Sequence, residues 1–306
     1  MAISSTIKHR IYVSMPADAW LDDRQNDLKW GIVEKIEKLG YEAQIFGGPT
    51  GGKGLAAGKA WNLEEVDKVM RRCVGAAIIG LPKWKFSIGD QAFSLPTEYC
   101  HYEGAVAQTR GLPILAVAER GIEPRVLFNW HVGLEIIQVP SAATRAWLEQ
   151  VQFLGPFENW KNKLQDRRDV FIGYCSSSRG TAANVKRYLT RELNATVLDW
   201  HEDFAPAGSI LEQIQDAASR CSAGVFLFTK DDKVESSGET AVPRDNVVFE
   251  AGFFAHAKGK DRVLIIREKG SKMPADLGGD IYASLDDRAD ITSIEPYIKR
   301  FITQRL

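Results

Sequence analysis

The feature that most limits how this chain can fold is that it is written twice, and self-similarity at a long period sets an architecture before any single motif does. RRCVGAAIIGLPK (71–83) precedes LPTEYCHYEGAVAQTRGLPILAVAERG (95–121), and SRCSAGVFLFTK (219–230) precedes VPRDNVVFEAGFFAHAKGKDRVLIIREKG (242–270). In each half an Arg-Cys pair opens a short apolar run. Pro96 stands 23 residues after Cys73, and Pro243 stands 22 after Cys221. A glutamate follows each proline by seven residues, Glu103 and Glu250, with an aromatic just before it, Tyr102 and Phe249. Upstream, HRIYVSMP (9–16) corresponds to RDVFIGYCSSS (168–178), and LGYEAQIF (39–46) to LNATVLDW (193–200). A common strand–helix rhythm would explain the alternation but not the matched proline-to-glutamate spacing. The halves therefore read as a duplication or as two related domains.

Helix-like stretches, DDRQNDLKWGIVEKIEKLG (22–40) and TAANVKRYLTREL (181–193), separate these strands and carry apolar residues at helical spacing. Strands alternating with helices of this length predict βαβ units on a parallel sheet. AAIIGL, PILAVA, GVFLFT and RVLII are nearly continuous hydrophobes, as strands covered on both faces are. The expectation is α/β: two related flavodoxin-like domains with parallel sheets, over 1–155 and 169–306. AATRAWLEQVQFL (142–154) reads as the closing helix of the first, and the Gly-Pro start of GPFENWKNKLQDRR places a boundary near 155–168.

Composition narrows the setting. A length of 306 residues suits about two domains, and a formal net charge of −1 gives no electrostatic pull toward nucleic acid or an anionic membrane. Cys73, Cys100, Cys175 and Cys221 form no C-x-x-C pair and read as reduced thiols. No signal peptide and no membrane-spanning run is visible, so a soluble cytoplasmic protein is expected. His101, His131, His201 and His256 show no metal-ligand spacing, so no metal is expected. Seven tryptophans fall in the first 160 residues and read as core and interface anchors.

GGPTGGKG (47–54) has the G-x-x-x-x-G-K spacing of a phosphate-binding P-loop. It follows the second strand of its unit, however, and Gly54 stands where a metal-binding Ser or Thr belongs. Glu119 is the one acid near a strand end in that half, and it lies beyond it. The stretch reads as a glycine-rich connection or as a phosphate contact through backbone N–H groups, not as the loop of an ATPase or GTPase.

In open parallel sheets ligands bind at the carboxyl ends of strands. In the second half those ends deliver Gly173, Ser176 and Ser177, then Trp200 and Phe204 as stacking faces. PRDNVVFE (243–250) puts Glu250 in the first turn or two of a helix rich in phenylalanine. From the residues alone Glu250 is either a helix-terminal acid or buried ion-pair partner, or a carboxylate that steadies an oxocarbenium-like transition state. VFIGYCSSSRG (170–180), VLDWHEDFAPAGSILEQI (197–214), AGVFLFTKDD (223–232) and PRDNVVFEAGFF (243–254) resemble the TIR-like effector domains of bacterial anti-phage systems, including those answering cyclic-nucleotide signals. The resemblance covers nearly all of 169–306. It implies hydrolysis of NAD to nicotinamide and ADP-ribose or a cyclised form, with Glu250 catalytic. Gly173, Ser176, Ser177, Trp200, Phe204 and Phe249 would then line the substrate site, with Arg244, Asp245 and Asn246 as supports. It also implies a homo-oligomer on activation, a cyclic-nucleotide or other nucleotide activator, and no cofactor beyond NAD as substrate. Ala251 and Tyr174–Cys175 depart from the family's pattern, in which a larger apolar residue and smaller residues are common.

The first half is similar, more weakly, to the wider group joining TIR-like and nucleoside deoxyribosyltransferase-like folds, through PTEYCHYEGAVA (96–107). Thr97-Glu98-Tyr99 stand there in place of Arg-Asp-Asn. Catalysis, ligand binding and a structural role all stay open for Glu103; Ser14 and Lys53 join it as candidate ligand contacts. A non-catalytic nucleotide-binding sensor is the alternative to an enzyme.

Overall fold

A computed structural model describes residues 7–47, 52–203, 209–234, 240–273 and 282–306. The chain forms two compact units, Lys8–Asp166 and Arg167–Leu306, the latter including Ile7.

In the first unit β1 (Arg10–Ser14), α1 (Asp23–Lys38), β2 (Glu42–Gln44), α2 (Leu63–Met70) and β3 (Gly75–Gly80) are followed by a hairpin, β4 (Trp84–Ile88) and β5 (Gln91–Leu95). Next come α3 (Glu98–Thr109), β6 (Ile114–Glu119), β7 (Ile136–Val139) and α4 (Val151–Gln165). The sheet runs β2-β1-β3-β6-β7 with every neighbouring pair parallel. Local chemistry starts the helices: Asp22 caps α1, accepting from the Gln25 N–H while the Gln25 side chain accepts in return from the Asp22 N–H. One sheet face packs Leu28, Ile32 and Ile36 of α1 and the α4 aromatics; the other packs Val66, Val69 and Met70 of α2 with Cys100 and Ala107 of α3. The strands are covered on both sides, which is why β3 is buried at every residue.

The second unit repeats this plan. β8 (Arg168–Gly173), α5 (Arg179–Arg191), β9 (Val197–Asp199), the short α6 (Trp200–Asp203), α7 (Ile210–Arg220) and β10 (Cys221–Phe228) precede a second hairpin, β11 (Asp232–Val234) and β12 (Thr240–Val242). α8 (Asp245–Lys258), β13 (Val263–Glu268), β14 (Tyr282–Leu285) and α9 (Glu295–Arg305) complete it. Its sheet runs β14-β13-β10-β8-β9, again all parallel. Counted along each unit, both sheets have the order 2-1-3-4-5 of flavodoxin-like folds, and both place an antiparallel hairpin between the third strand and the following helix. The expected fold class is the one observed.

One expectation needs correction. Residues 142–154 do not form the closing helix: Arg145–Glu149 make a 3-10 turn and α4 runs onward through Gly155-Pro156. A helix-interior proline costs about 3 kcal/mol. Here Phe153, Phe157, Trp160 and Leu164 recur at helical spacing and all are buried; each large apolar side chain contributes roughly 1.5–3 kcal/mol, and burial wins. The first unit ends at Asp166, at the end of α4 and inside the 155–168 interval.

Of the glycine-rich stretch, residues 48–51 lie outside the described residues. Lys53 pairs back on Ile45 through reciprocal backbone hydrogen bonds of 3.0 and 3.1 Å. Only a three-residue 3-10 turn, Gly54–Ala56, follows, so no helix N-terminus is there to hold a phosphate. Gly54 has φ +64°, and a Cβ on it would stand 2.3 Å from the Gln44 side chain, so close packing against β2 requires a glycine. The Lys53 ammonium sits on Glu37 at 2.8 and 2.9 Å. Glu119 accepts from Gln25 and Arg24 and is occupied as a structural acceptor.

Candidate active site

Both recurring glutamates are the sixth residue of their helix, Glu103 on α3 and Glu250 on α8. Each lies beside the carboxyl end of the first strand of its unit, Ser14 on β1 and Gly173 on β8. The surroundings then diverge.

Around Glu250 the floor is aromatic. Phe171, Phe226 and Phe254 pack ring to ring, with centroids 4.9, 5.4 and 5.9 Å apart. Val247, Ala251 and Phe254 form the buried stripe of α8, and the small Ala251 belongs to it. A Cβ at position 173 would fall 2.5 Å from the Phe226 ring and 2.7 Å from Glu250 Oε2. The glycine thus lets the strand end approach the carboxyl group. Glu250 Oε2 is buried and has no hydrogen-bond partner among the described residues. Burial alone lifts this carboxyl from 4.5 to about 7, because removing solvent disfavours the charged form.

The serine turn is tied to the end of the neighbouring strand. Ser177 Oγ donates to Asp231 Oδ1 at 2.5 Å, and Ser178 Oγ and Thr229 Oγ1 lie 2.6 Å apart. Thr229 Oγ1 also meets Asp231 Oδ2 at 2.8 Å. Arg288 joins from the loop after β14, donating to Glu268 at 2.7 Å and to the Lys230 carbonyl. Ser176 is exposed beside this network. Asp231 and Arg288 were not singled out from the sequence; the acid immediately after a buried strand, in FTKDD, was the available signal for Asp231.

Trp200 is half-buried on α6, donates from its indole to the Tyr174 carbonyl at 3.2 Å and stacks on His201 at 3.8 Å. Tyr174 in turn donates to Asp199 at 2.8 Å, so the pair forms a fixed wall. Phe249 is 53% exposed, one position from Glu250. Phe204 lies outside the described residues. Arg244 caps α8 and pairs with Asp232 at 3.3 Å.

Around Glu103 the carboxylate is engaged. Trp61 donates its indole N–H to Oε1 at 2.5 Å, and the Ser14 and Tyr12 hydroxyls are directed at the carboxylate as well. Glu103 is 4% exposed, and burial raises its pKa against the pull of these donors. Burial likewise pushes the neighbouring Cys100 thiol up to about 12, which makes it an inert core thiol. Glu103 and Ser14 line a cavity of about 860 Å³ at the carboxyl ends of β1 and β2. Lys53 is not among its lining residues, so the structure joins two of the three first-half candidates and separates the third.

With this geometry in view, known proteins place the second unit. Residues 169–287 match the family model described as CAP12/Pycsar effector protein, TIR domain. A CD-NTase-associated protein 12 of Niabella drilacis is 30% identical over 135 residues, 42% of this chain and 43% of the relative. Another, of a Lachnospiraceae bacterium, is 34% identical over 112 residues, 36% of this chain and 35% of the relative. The Pycsar effector protein BcPycTIR of Burkholderia cepacia is 30% identical over 122 residues, 39% of this chain and 40% of the relative. The chain thus spans less than half the length of each of these relatives. The family match coincides with the unit that holds Glu250 and supports a bacterial anti-phage TIR effector domain there.

Proposed function

We propose that the chain is an NAD glycohydrolase effector of bacterial anti-phage immunity, with Glu250 as its catalytic carboxylate, held in check until a nucleotide signal or self-association activates it. The observation that carries this reading is the buried, unpartnered Oε2 of Glu250 beside Gly173. Perturbed acids at a strand end are candidates for chemistry, and the CAP12/Pycsar match spans Glu250.

In this reading the C1′–N bond between ribose and nicotinamide breaks. Its electron pair stays on the ring nitrogen, which leaves as neutral nicotinamide, and positive charge develops at C1′. An ionised Glu250 in a low-dielectric floor of phenylalanines stabilises that charge. Water then adds through oxygen at C1′ and loses a proton, giving ADP-ribose; a nucleophile within the same molecule gives a cyclised product instead. The Ser177–Asp231 and Ser178–Thr229 links hold the turn that faces the substrate.

The test is to incubate purified protein with NAD, with and without nucleotide signals, and resolve nicotinamide and ADP-ribose chromatographically. Glu250→Gln keeps the shape and removes the charge. It is expected to lower turnover by on the order of 10²–10³ with the fold intact by circular dichroism. Turnover equal to the unaltered protein would refute the assignment and favour a non-catalytic sensor.

A further inference from the structure

We propose that the cavity of the first unit is a binding site for a nucleoside carrying at most one phosphate, in which Glu103 holds a sugar hydroxyl and cuts no bond. This deepens the regulatory part of the function above by naming the site and the class of ligand. It does not depend on NAD cleavage at Glu250.

The argument begins with the two glutamates. Aligned at the strand ends, Tyr12 of β1 corresponds to Phe171 of β8, and Ser14 to Gly173. Both exchanges delete a hydroxyl in the TIR unit. The first unit keeps both hydroxyls and adds an indole, 42 residues away in sequence, at 2.5 Å from Glu103 Oε1. A carboxylate offers about four acceptor positions. Ser14, Trp61 and Tyr12 face three of them, so Glu103 is oriented and stabilised, with a position left for a hydroxyl of a ligand. Ser14, 3% exposed and lining the cavity, turns its hydroxyl toward Glu103 without meeting strict hydrogen-bond geometry among the described residues. It is a second polar group available to a ligand. Glu250 Oε2, by contrast, has no partner to restrain it.

The walls specify the rest of the ligand. Trp20, Trp30, Trp61 and Tyr99 line the cavity, with Trp61 and Tyr99 centroids 4.2 Å apart. Flat apolar walls over a polar floor select a ligand with an aromatic ring at one end and hydroxyls at the other. A volume of about 860 Å³ accommodates a nucleoside with room for a phosphate. The charges limit how many phosphates. Lys29, Lys59 and Lys83 line the cavity, but each already has an acid: Asp18 at 2.5 Å, Glu65 at 2.7 Å and Glu98 at 3.7 Å. Among the described residues, no uncompensated cluster of cations stands ready for a di- or triphosphate.

The experiment uses the full chain carrying Glu250→Gln, so that NAD turnover is off and binding is read alone. Adenosine, uridine, their 5′-monophosphates and their 5′-triphosphates are titrated by calorimetry and by tryptophan fluorescence. At least one nucleoside or monophosphate is expected to bind with saturable quenching. Adding Trp20→Ala, at a rim position 53% exposed and therefore safe for folding, should weaken binding about tenfold, as loss of one base–aromatic stack does. Adding Glu103→Gln should weaken it at least as much, and the products should contain no free base. Four results overturn the proposal: no binding at millimolar ligand, affinity unmoved by Trp20→Ala and Glu103→Gln, triphosphates binding more than tenfold tighter than monophosphates, or base release that disappears with Glu103→Gln. A failure of NAD cleavage in the unaltered protein would leave these binding results standing.

Discussion

Glu250 concentrates the residue-scale chemistry. Its folded-state pKa of about 7 lies above its ordinary 4.5 because burial disfavours its charge, so the folded protein holds this proton more tightly than the unfolded chain. The resulting stability is fully present below pH 4.5 and is lost as the pH rises through about 7. Glu250→Gln should therefore stabilise the protein above pH 7, by as much as about 3 kcal/mol, and leave it unchanged below pH 4.5. Urea midpoints of both proteins at pH 4.5 and 8 check this; a constant difference at the two values contradicts the burial argument. For catalysis the sign is opposite. In the proposed reaction the carboxylate is the active form, so kcat/KM should fall about tenfold for each unit of pH below 7 in a pH–rate profile. Gly173 offers an independent check. A methyl group there meets the Phe226 ring and Glu250 Oε2, and forced overpacking of this kind costs about 1–3 kcal/mol. Gly173→Ala is expected to lose that much stability in denaturant melts and to lose NAD turnover as well. A variant of unchanged stability would show that the strand end yields easily.

At the scale of elements, α4 decides where the first unit ends. Its Phe157, Trp160 and Leu164 belong to the core built around α1 and the sheet, and Trp160 also donates to the Pro113 carbonyl at 3.1 Å. A fragment ending at residue 155 removes all three and leaves apolar gaps, which cost roughly 2–5 kcal/mol per large side chain. Residues 8–155 should therefore be largely unfolded, whereas 8–166 should melt cooperatively. Matched sigmoidal melts for both fragments would show that the last turns of α4 are dispensable. The hairpin β4–β5 exposes Trp84, Phe86 and Ile88.

For the whole molecule, the proposed activity requires control, because an unrestrained NAD hydrolase would deplete the cell that makes it. If the control is self-association, specific activity should rise with protein concentration and level off, and a nucleotide signal should move the curve to lower concentrations. A ligand achieves this only through a difference in affinity between the inactive and active states; moving from about 1% to 99% active requires roughly 5.5 kcal/mol of it. NAD turnover measured over a thousandfold range of protein, beside sedimentation at the same concentrations, tests this. A flat specific activity across that range would exclude association as the switch.

What the sequence by itself determined is the architecture and the place of each glutamate. Apolar periodicity and the proline-to-glutamate interval are local, and local features survive in a one-dimensional reading. They were enough to predict two flavodoxin-like units and the alignment of Glu103 with Glu250. Tertiary structure alone decided what each glutamate touches. Trp61 lies 42 residues from Glu103, and Asp231 lies 54 from Ser177; no periodicity announces such pairs. The end of α4 was decided in the same way, by burial of aromatics outweighing a proline that reads locally as a stop. A carboxylate's chemistry depends on how much solvent it loses and which donors replace it, and those are properties of neighbours brought together by the fold. For that reason two glutamates at the same position of the same motif end differently, one satisfied by an indole and a phenol, the other buried with an oxygen unpartnered.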